Sequence, residues 1–436
     1  MQRKAYQKLL KWKQQSNRKP LIVQGARQVG KTWLMKEFGK KEFSRTAYFN
    51  FESSVELQQI FNHGYDTKEL LASLNILAGF KIDAGNTLII FDEIQACPQA
   101  VTSLKYFYEN EPEYAILAAG SLLGVAIHQG ISFPVGKVDF LTLYPLSFSE
   151  FMEAMGKEDL LELLRTANKN LIQSFESSYI QLLRQYYFLG GMPEVIMNFI
   201  QNSDYQTARE IQKSILNAYE NDFSKHAPMA HLPRIRMVWN SIVGQLAKEN
   251  SKFIYSILRT GARAKDFEIA IEWLKDAGLI HKVVRVSKPG LPITAYADWP
   301  DFKIYLNDVG LLGAMGGLSD TMLLKGEELF SEFKGIVSEQ FVLQQLISQS
   351  FQAFYWAPEQ AKSEVDFLIQ LNDQIVPIEV KSSDNLRSRS LRVYYDKFKP
   401  STCIRTSLAG YQQQDWMQNI PLYGLQEWLA DSVKNS

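Results

Sequence analysis

The chain has 436 residues, more than one core usually organises, so two to four domains are expected. Lys plus Arg and Asp plus Glu are equal at 47 each and 46% of residues are hydrophobic, an ordinary globular composition. That balance excludes a globally basic nucleic-acid binder, so any such contact must come from local patches. The two cysteines, Cys97 and Cys403, lie far apart with no histidine at zinc-ligand spacing; this excludes a disulfide framework and a zinc site, and fits a reducing, cytoplasmic compartment.

The N-terminal stretch MQRKAYQKLLKWKQQSNRK has no acidic residue. It reads as a basic amphipathic helix that partly buries Tyr6, Leu9, Leu10 and Trp12. A targeting peptide fits less well, because a glycine-rich loop already begins at Gly25. Next come LIVQG (21–25), TAYFNFE (46–52), TLIIFDE (87–93) and YAILAAGS (114–121), short apolar runs that end in small or acidic residues. Buried parallel strands look like this, with functional groups at their carboxyl ends, so the fold class is α/β. The longest apolar stretch, 115–127, is broken by Gly120 and Ser121 and is too short to cross a bilayer, so no membrane partner is expected.

From 150 to about 222 the pattern turns helical and polar, and YYFLGGMPEVI interrupts it with a turn at Gly190, Gly191 and Pro193. Its aromatics read as core. RMVWNSIVGQLAKE and ARAKDFEIAIEWLKDAGLI then read as helices, and HKVVRV and PITAYAD as a hairpin around SKPGL, the order of a winged-helix module. Arg259, Arg263 and Lys265 stand where a recognition helix meets DNA, whereas Asp266, Glu268, Glu272 and Asp276 on the same helix would repel phosphates. From 302 onward a helix (GIVSEQFVLQQLISQ), a strand (FQAFYWAP), a hairpin (VDFLIQLNDQIVPIEVKSS, 365–383) and SLRVYYDKF form a second α/β region.

GARQVGKT (25–32) sits between the first strand and a helical run and fits G-x-x-x-x-G-K-[ST]. Gly25, Ala26, Arg27, Gln28, Val29 and Gly30 would wrap phosphates with backbone N–H groups, Lys31 would reach the β- and γ-phosphates, and Thr32 would hold Mg²⁺. This makes ATP with Mg²⁺ the expected cofactor pair. In LIIFDE (88–93), Asp92 would hold the Mg²⁺ through water, and Glu93 would orient and deprotonate the attacking water. Ser121, at the end of the fourth apolar run, is a γ-phosphate sensor or a helix N-cap.

With these residues in place, 18–150 resembles the AAA+ class of P-loop ATPases. It is most similar to the bacterial and archaeal branch in which GxRQVGKT, FDEIQ, GS and LxPLSFxEF follow one another, here at 25–32, 91–95, 120–121 and 143–151. The likeness continues through GGMPEV (190–195), KIYLNDVGLL (303–312) and the late hairpin, and so covers nearly the whole chain. Family members carry Gly-Arg before the PLSF segment; this chain has Gly136-Lys137, a charge without a planar fork.

The same resemblance implies that the C-terminal domain has the restriction-endonuclease-like, PD-(D/E)XK fold. There Asp366 on one strand, Glu379 on the next and the helical Glu339 would hold a divalent metal, and Lys381 would position water or offset charge. Alternation puts Glu379 and Lys381 on one strand face, and Glu364 on the face of Asp366. Expected domains are 1–150 (AAA+), 151–233 (helical lid or linker), 234–300 (winged-helix-like) and 301–436 (nuclease-like). The expected function is ATP binding and hydrolysis that controls a nuclease-like domain acting on DNA. The alternatives are a regulatory protein whose inactive C-terminal domain binds a protein or nucleic acid, and an ATP-dependent remodeller. A homo-oligomer stays open.

Overall fold

The structure, a computed structural model, describes residues 2–121, 124, 133–166, 168–248, 252–319, 331–359, 363–382 and 387–434; Ser383, at the end of the expected hairpin run, lies outside them. The chain divides into two compact units, one formed by 1–144 with 276–279 and the other by 145–275 with 280–436.

The first unit contains a five-stranded sheet built from β1 (Leu21–Gln24), β2 (Arg45–Asn50), β3 (Thr87–Asp92), β4 (Ala115–Ala119) and β5 (Asp139–Thr142), in the order β2-β3-β4-β1-β5. Every neighbouring pair is parallel. The four apolar runs are its first four strands. β5 has no counterpart among them, because it is four residues long at a sheet edge and only Leu141 is buried. All residues of β3 and β4 are buried, which is why both read as continuous apolar runs. Phe91 packs against Phe49, Phe51, Phe61 and Phe107 with ring centroids 5.5–6.2 Å apart, anchoring the strand one residue before Asp92. The basic N-terminal helix spans Ala5–Lys13 and buries Leu9 and Trp12.

In the second unit an eight-stranded mixed sheet runs β12-β13-β11-β10-β9-β8-β6-β7. Its strands are β6 (Ile280–Val286), β7 (Ala297–Leu306), β8 (Phe354–Trp356), β9 (Val365–Leu371), β10 (Gln374–Val380), β11 (Ile404–Ser407), β12 (Gln412–Gln413) and β13 (Gln418–Pro421). The β9–β10 hairpin forms as expected, with Asn372 at its turn in the left-handed region (φ 52°), a conformation asparagine tolerates.

The helices Leu232–Leu246 and Ala264–Asp276 and the β6–β7 hairpin follow the helix–helix–hairpin order read from the sequence. Two details differ. PITAYAD is not a strand along its length: Pro292 has no N–H to donate and opens a 3₁₀ turn at Ile293–Tyr296, so β7 starts at Ala297. β7 then runs through position 300, and β6 pairs in parallel with β8, which makes the hairpin the edge of the eight-stranded sheet. Tyr186, Tyr187 and Phe188 are buried, in keeping with a core role.

Buried polar side chains order this unit. Ser147 and Glu150 form a capping box on the helix Phe148–Ala154, which accounts for the Ser-x-x-Glu of the PLSF segment. Two more N–H groups at that helix start donate to buried glutamines, Phe148 N to Gln345 Oε1 and Ser149 N to Gln426 Oε1, each at 2.9 Å. The helix Ser331–Ser348 also holds the 306–311 segment: Gln340 bonds both the N–H and the carbonyl of Leu306, and Gln344 accepts from Val309 N. Among the described residues no helix is long and apolar enough to cross a membrane.

Candidate functional site

In the first unit the phosphate-type loop leaves β1 and enters the helix Lys31–Glu42. Gly25 (φ 144°), Gln28 (66°) and Gly30 (93°) lie in the left-handed region. A Cβ at Gly25 would come within 2.1 Å of the Leu143 carbonyl oxygen, so only glycine fits there. Arg3, which the sequence reading passed over, is buried and braces the loop by donating to Val29 O at 2.9 Å and to Tyr144 O at 2.6 Å. Arg27 faces Glu52 at 3.9 Å.

Lys31 Nζ donates to the carbonyls of Gly25 (2.9 Å) and Ala26 (2.8 Å), so the ammonium sits inside the loop that would wrap phosphates. Burial pushes its pKa down to about 8, with Glu93 and Asp92 opposing the shift. Part of the ammonium is therefore lost at mildly alkaline pH. ATP affinity should be flat below pH 7.5 and fall, at most about tenfold per unit, above pH 8; fluorescent-nucleotide titrations from pH 7 to 9 check this.

Thr32 Oγ1 and Tyr48 Oη both donate to Asp92 Oδ2 at 2.8 Å, so the two residues expected to hold Mg²⁺ are already in contact. Glu93 takes a left-handed backbone (φ 50°), uncommon for a non-glycine and typical of functional strain. Its Oε1 accepts from Ser121 Oγ at 3.2 Å and its Oε2 from Gln95 Nε2 at 2.7 Å. Ser121 thus reaches Glu93 directly. Lys137, where the resemblance implied arginine, pairs with Glu109 at 2.9 Å.

The second unit holds a cluster of acids and lysines. Asp366 and Glu379 lie one step beyond the β9–β10 rung of Phe367 opposite Ile378, so the register sets them face to face. Asp366 Oδ2 accepts from Val380 N at 2.6 Å. Glu379 is buried; its Oε1 pairs with Lys381 at 2.8 Å, and its Oε2 has no hydrogen-bond partner among the described residues. Arg405, fully buried, is in register with Glu379 on β11 and bonds Asn419 through Nε.

Glu339 does not converge with Asp366 and Glu379 as a ready three-ligand set: among the described residues no group of three or more His, Cys, Asp or Glu could by itself hold a metal ion. Glu339 is instead placed beside Lys303, buried on β7. Its ammonium bonds Glu364 and stands 3.9 Å from Glu339 Oε2, the oxygen that also accepts from Tyr305 Oη at 2.9 Å. Burial alone would lower the Lys303 pKa; Glu364, Glu339 and Asp366 outweigh it and keep the ammonium charged. Burial holds the Asp366 carboxyl well above the ordinary range, with Glu339 and Glu379 adding to it.

Residues 17–152 match the family described as AAA domain. This first region is a P-loop AAA domain. Residues 180–322 and 334–425 match two domains of unknown function, DUF8612 and DUF4143. No curated protein matches the chain. Among solved structures, a Walker-type ATPase of Pyrococcus abyssi aligns at 15% identity over 71% of this chain and 94% of its own, with a TM-score of 0.44. The Aeropyrum pernix Orc1 protein, solved in complex with DNA, aligns at 11% identity over 72% and 90%, TM-score 0.27. AMPPCP-bound DnaA from Aquifex aeolicus aligns at 13% over 59% and 81%, TM-score 0.24. Scores this low do not establish a shared fold along the chain.

In the AAA domain the sequence pointed to Lys31, Thr32, Asp92, Glu93 and Ser121, and the structure brings all five together. It adds Tyr48 and Arg3, which lie outside the loop and strand motifs, and gives a role to Gln95, the last residue of FDEIQ. In the C-terminal cluster the additions are Lys303, Tyr305 and Arg405. One signal was available for Lys303: a lone charged residue inside the buried run Phe302–Leu306, with Tyr305 on the same strand face.

Proposed function

We propose that the chain hydrolyses ATP in its AAA domain and that nucleotide state controls a nuclease-like C-terminal region acting on DNA. The observation that carries the reading is the contact chain Thr32–Asp92 and Glu93–Ser121, which holds a metal-ligand pair and a base side by side next to Lys31. The loop N–H groups and Lys31 bind and orient the triphosphate. Thr32 and Asp92 would hold Mg²⁺, which neutralises charge on the β- and γ-phosphates. Glu93 takes a proton from the attacking water as its oxygen bonds to the γ-phosphorus; the bond to the β–γ bridging oxygen breaks and ADP leaves. Ser121 and Gln95 fix both carboxylate oxygens, so Glu93 meets that water in one orientation.

For the C-terminal region the support is topological and local. A helix (Ser331–Ser348), three antiparallel-paired strands (β8, β9, β10), a helix (Arg389–Phe398) and a strand parallel to the hairpin (β11) follow in order. Within that series Asp366 lies on β9 and Glu379 on β10 with Lys381 just after it, behind the helix that carries Glu339, the arrangement the resemblance implied. The orphaned Glu379 Oε2 beside Asp366 fits a divalent cation, which would polarise a scissile phosphate there. Arg259, Arg263 and Lys265 are exposed and would meet DNA phosphates. The second reading, a C-terminal region that only binds, is favoured by Lys303, which sits among the carboxylates.

ATP turnover of the full chain, with and without plasmid DNA and with the same tubes run on a gel, tests both. The expected result is DNA-stimulated, Mg²⁺-dependent turnover and nicks that vanish in Asp366→Ala. Turnover indifferent to DNA, with intact plasmid, overturns the nuclease reading and leaves the binding one.

A further inference from the structure

We propose that Lys303 is the resident cation of the carboxylate cluster, neutralising Glu339 and Glu364 so that the cluster accepts a single divalent cation, at Asp366 and Glu379. This rests on the reading that those two acids take a metal ion. The geometry splits the four acids into two pairs. Glu364 and Glu339 share the Lys303 ammonium, and Tyr305 donates to the same Glu339 oxygen. Lys303 is 0% exposed, so water does not solvate it; a buried ammonium persists only where carboxylates surround it. Its side chain also lies 5.0 Å over the Tyr355 ring, a second contact that favours the charged form.

The other pair is differently served. Among the described residues Asp366 Oδ2 has only the Val380 N–H, and Glu379 has Lys381 on one oxygen and no hydrogen-bond partner on the other. A buried carboxylate oxygen without a partner carries its desolvation cost uncompensated. A hard cation offsets that cost, and Mg²⁺ or Mn²⁺ commonly binds through one or two carboxylates, filling its other positions with water or phosphate. Charge leads to the same number. The four acids have Lys303 and Lys381 as ion-pair partners, and Arg405 stands in register with Glu379, where burial pulls its pKa down and Glu379 opposes the shift. One divalent ion already reverses the sign of the cluster, and a second finds no charge to neutralise.

The test uses Mn²⁺ alone, with bound ions counted by electron paramagnetic resonance on the full chain without nucleotide. A Thr32→Ala/Asp92→Asn background removes the ligands expected in the AAA domain. One ion per chain, lost in Glu379→Gln, is the expected result. In Lys303→Met the count should rise to two, or the first ion should bind about tenfold more tightly, because two acids lose their counter-ion. Removing one partner of a buried pair can also unfold a chain. The paired variant Lys303→Met/Glu364→Met keeps the net charge; it should fold by circular dichroism and still bind one ion. Two ions with Lys303 in place, a second ion in the paired variant, or a folded Lys303→Met that binds Mn²⁺ unchanged would each overturn the inference. No ion in any variant sinks the metal reading beneath it, and an ion insensitive to Lys303 sinks the inference alone. DNA is absent throughout, so failure to nick bears on neither.

Discussion

Glu93→Gln should lower the ATP turnover number by about 10²–10⁴-fold, the usual contribution of a positioned general base, while ATP affinity stays within a few-fold. In barrier terms this is roughly 3–5 kcal/mol. The substitution is close to isosteric and leaves an oxygen able to accept from Ser121 or Gln95, so the local geometry survives. What is lost is the proton acceptor. Lys31, Thr32 and Asp92, which bind the phosphates and metal, are untouched. The split between kcat and Kd is the informative readout. Steady-state hydrolysis gives the first, and fluorescent-nucleotide titration the second. A kcat within about fivefold of the parent would remove Glu93 from the role of base. A collapse of affinity together with kcat would make it a structural prop for the loop, held by its strained backbone at φ 50°.

How much of this was legible follows from how far apart in sequence the partners lie. The glycine-rich loop is contiguous, and its strand and helix adjoin it, so Gly25 to Thr32 could be read directly. Asp92 and Glu93 end an apolar run whose every residue is buried, a pattern visible in one dimension. Tyr48 was not visible: it reads as one more aromatic in β2, and only the parallel pairing of β2 with β3 brings its hydroxyl to Asp92. The same holds in the second unit. The acids of the β9–β10 hairpin stand thirteen positions apart and share one face. Lys303 comes from β7, three places from β9 in the sheet order, and no local pattern marks it as their neighbour. The glutamines of the helix Ser331–Ser348 mislead most. Gln340, Gln344 and Gln345 look like a solvated polar face, yet all three are buried and bond backbone groups up to 197 positions away. A polar residue whose partner is a distant backbone amide carries no periodicity signal.

Asp308→Ala should destabilise the second unit by about 3–5 kcal/mol, the largest single loss expected outside the hydrophobic core. Asp308 is 0% exposed, and its carboxylate gathers chain segments that are far apart in sequence. Oδ2 accepts from Gly191 N at 2.6 Å and from Gln344 Nε2 at 3.3 Å, and Oδ1 accepts from Leu311 N at 2.9 Å. Hydrogen bonds to a charged group contribute about 1.5–3 kcal/mol each, less than additively; alanine removes the acceptor of the buried Gly191 and Leu311 N–H groups, while Gln344 Nε2 keeps its bond to Tyr186 Oη at 2.9 Å. Gly190 shows how tightly the site is built: a Cβ there would stand 2.1 Å from Asp308 Oδ1, and its φ is +71°. Asp308→Asn keeps the shape but turns an N–H₂ toward one of the donors, so it should cost less, about 1–3 kcal/mol. Because the chain forms two units, a single melting curve would blur the effect. Native-state hydrogen exchange read on peptides covering 186–191 and 306–312 resolves it. Exchange there should quicken by two orders of magnitude or more, roughly 3 kcal/mol, in the alanine variant, while peptides from the five-stranded sheet keep their protection. Equal loss in the two regions would mean that the units unfold together. No loss near Gly191 would show that water replaces the carboxylate without penalty, and the polar hub joining Gly191, Leu311 and Gln344 would then not be what holds this unit in shape.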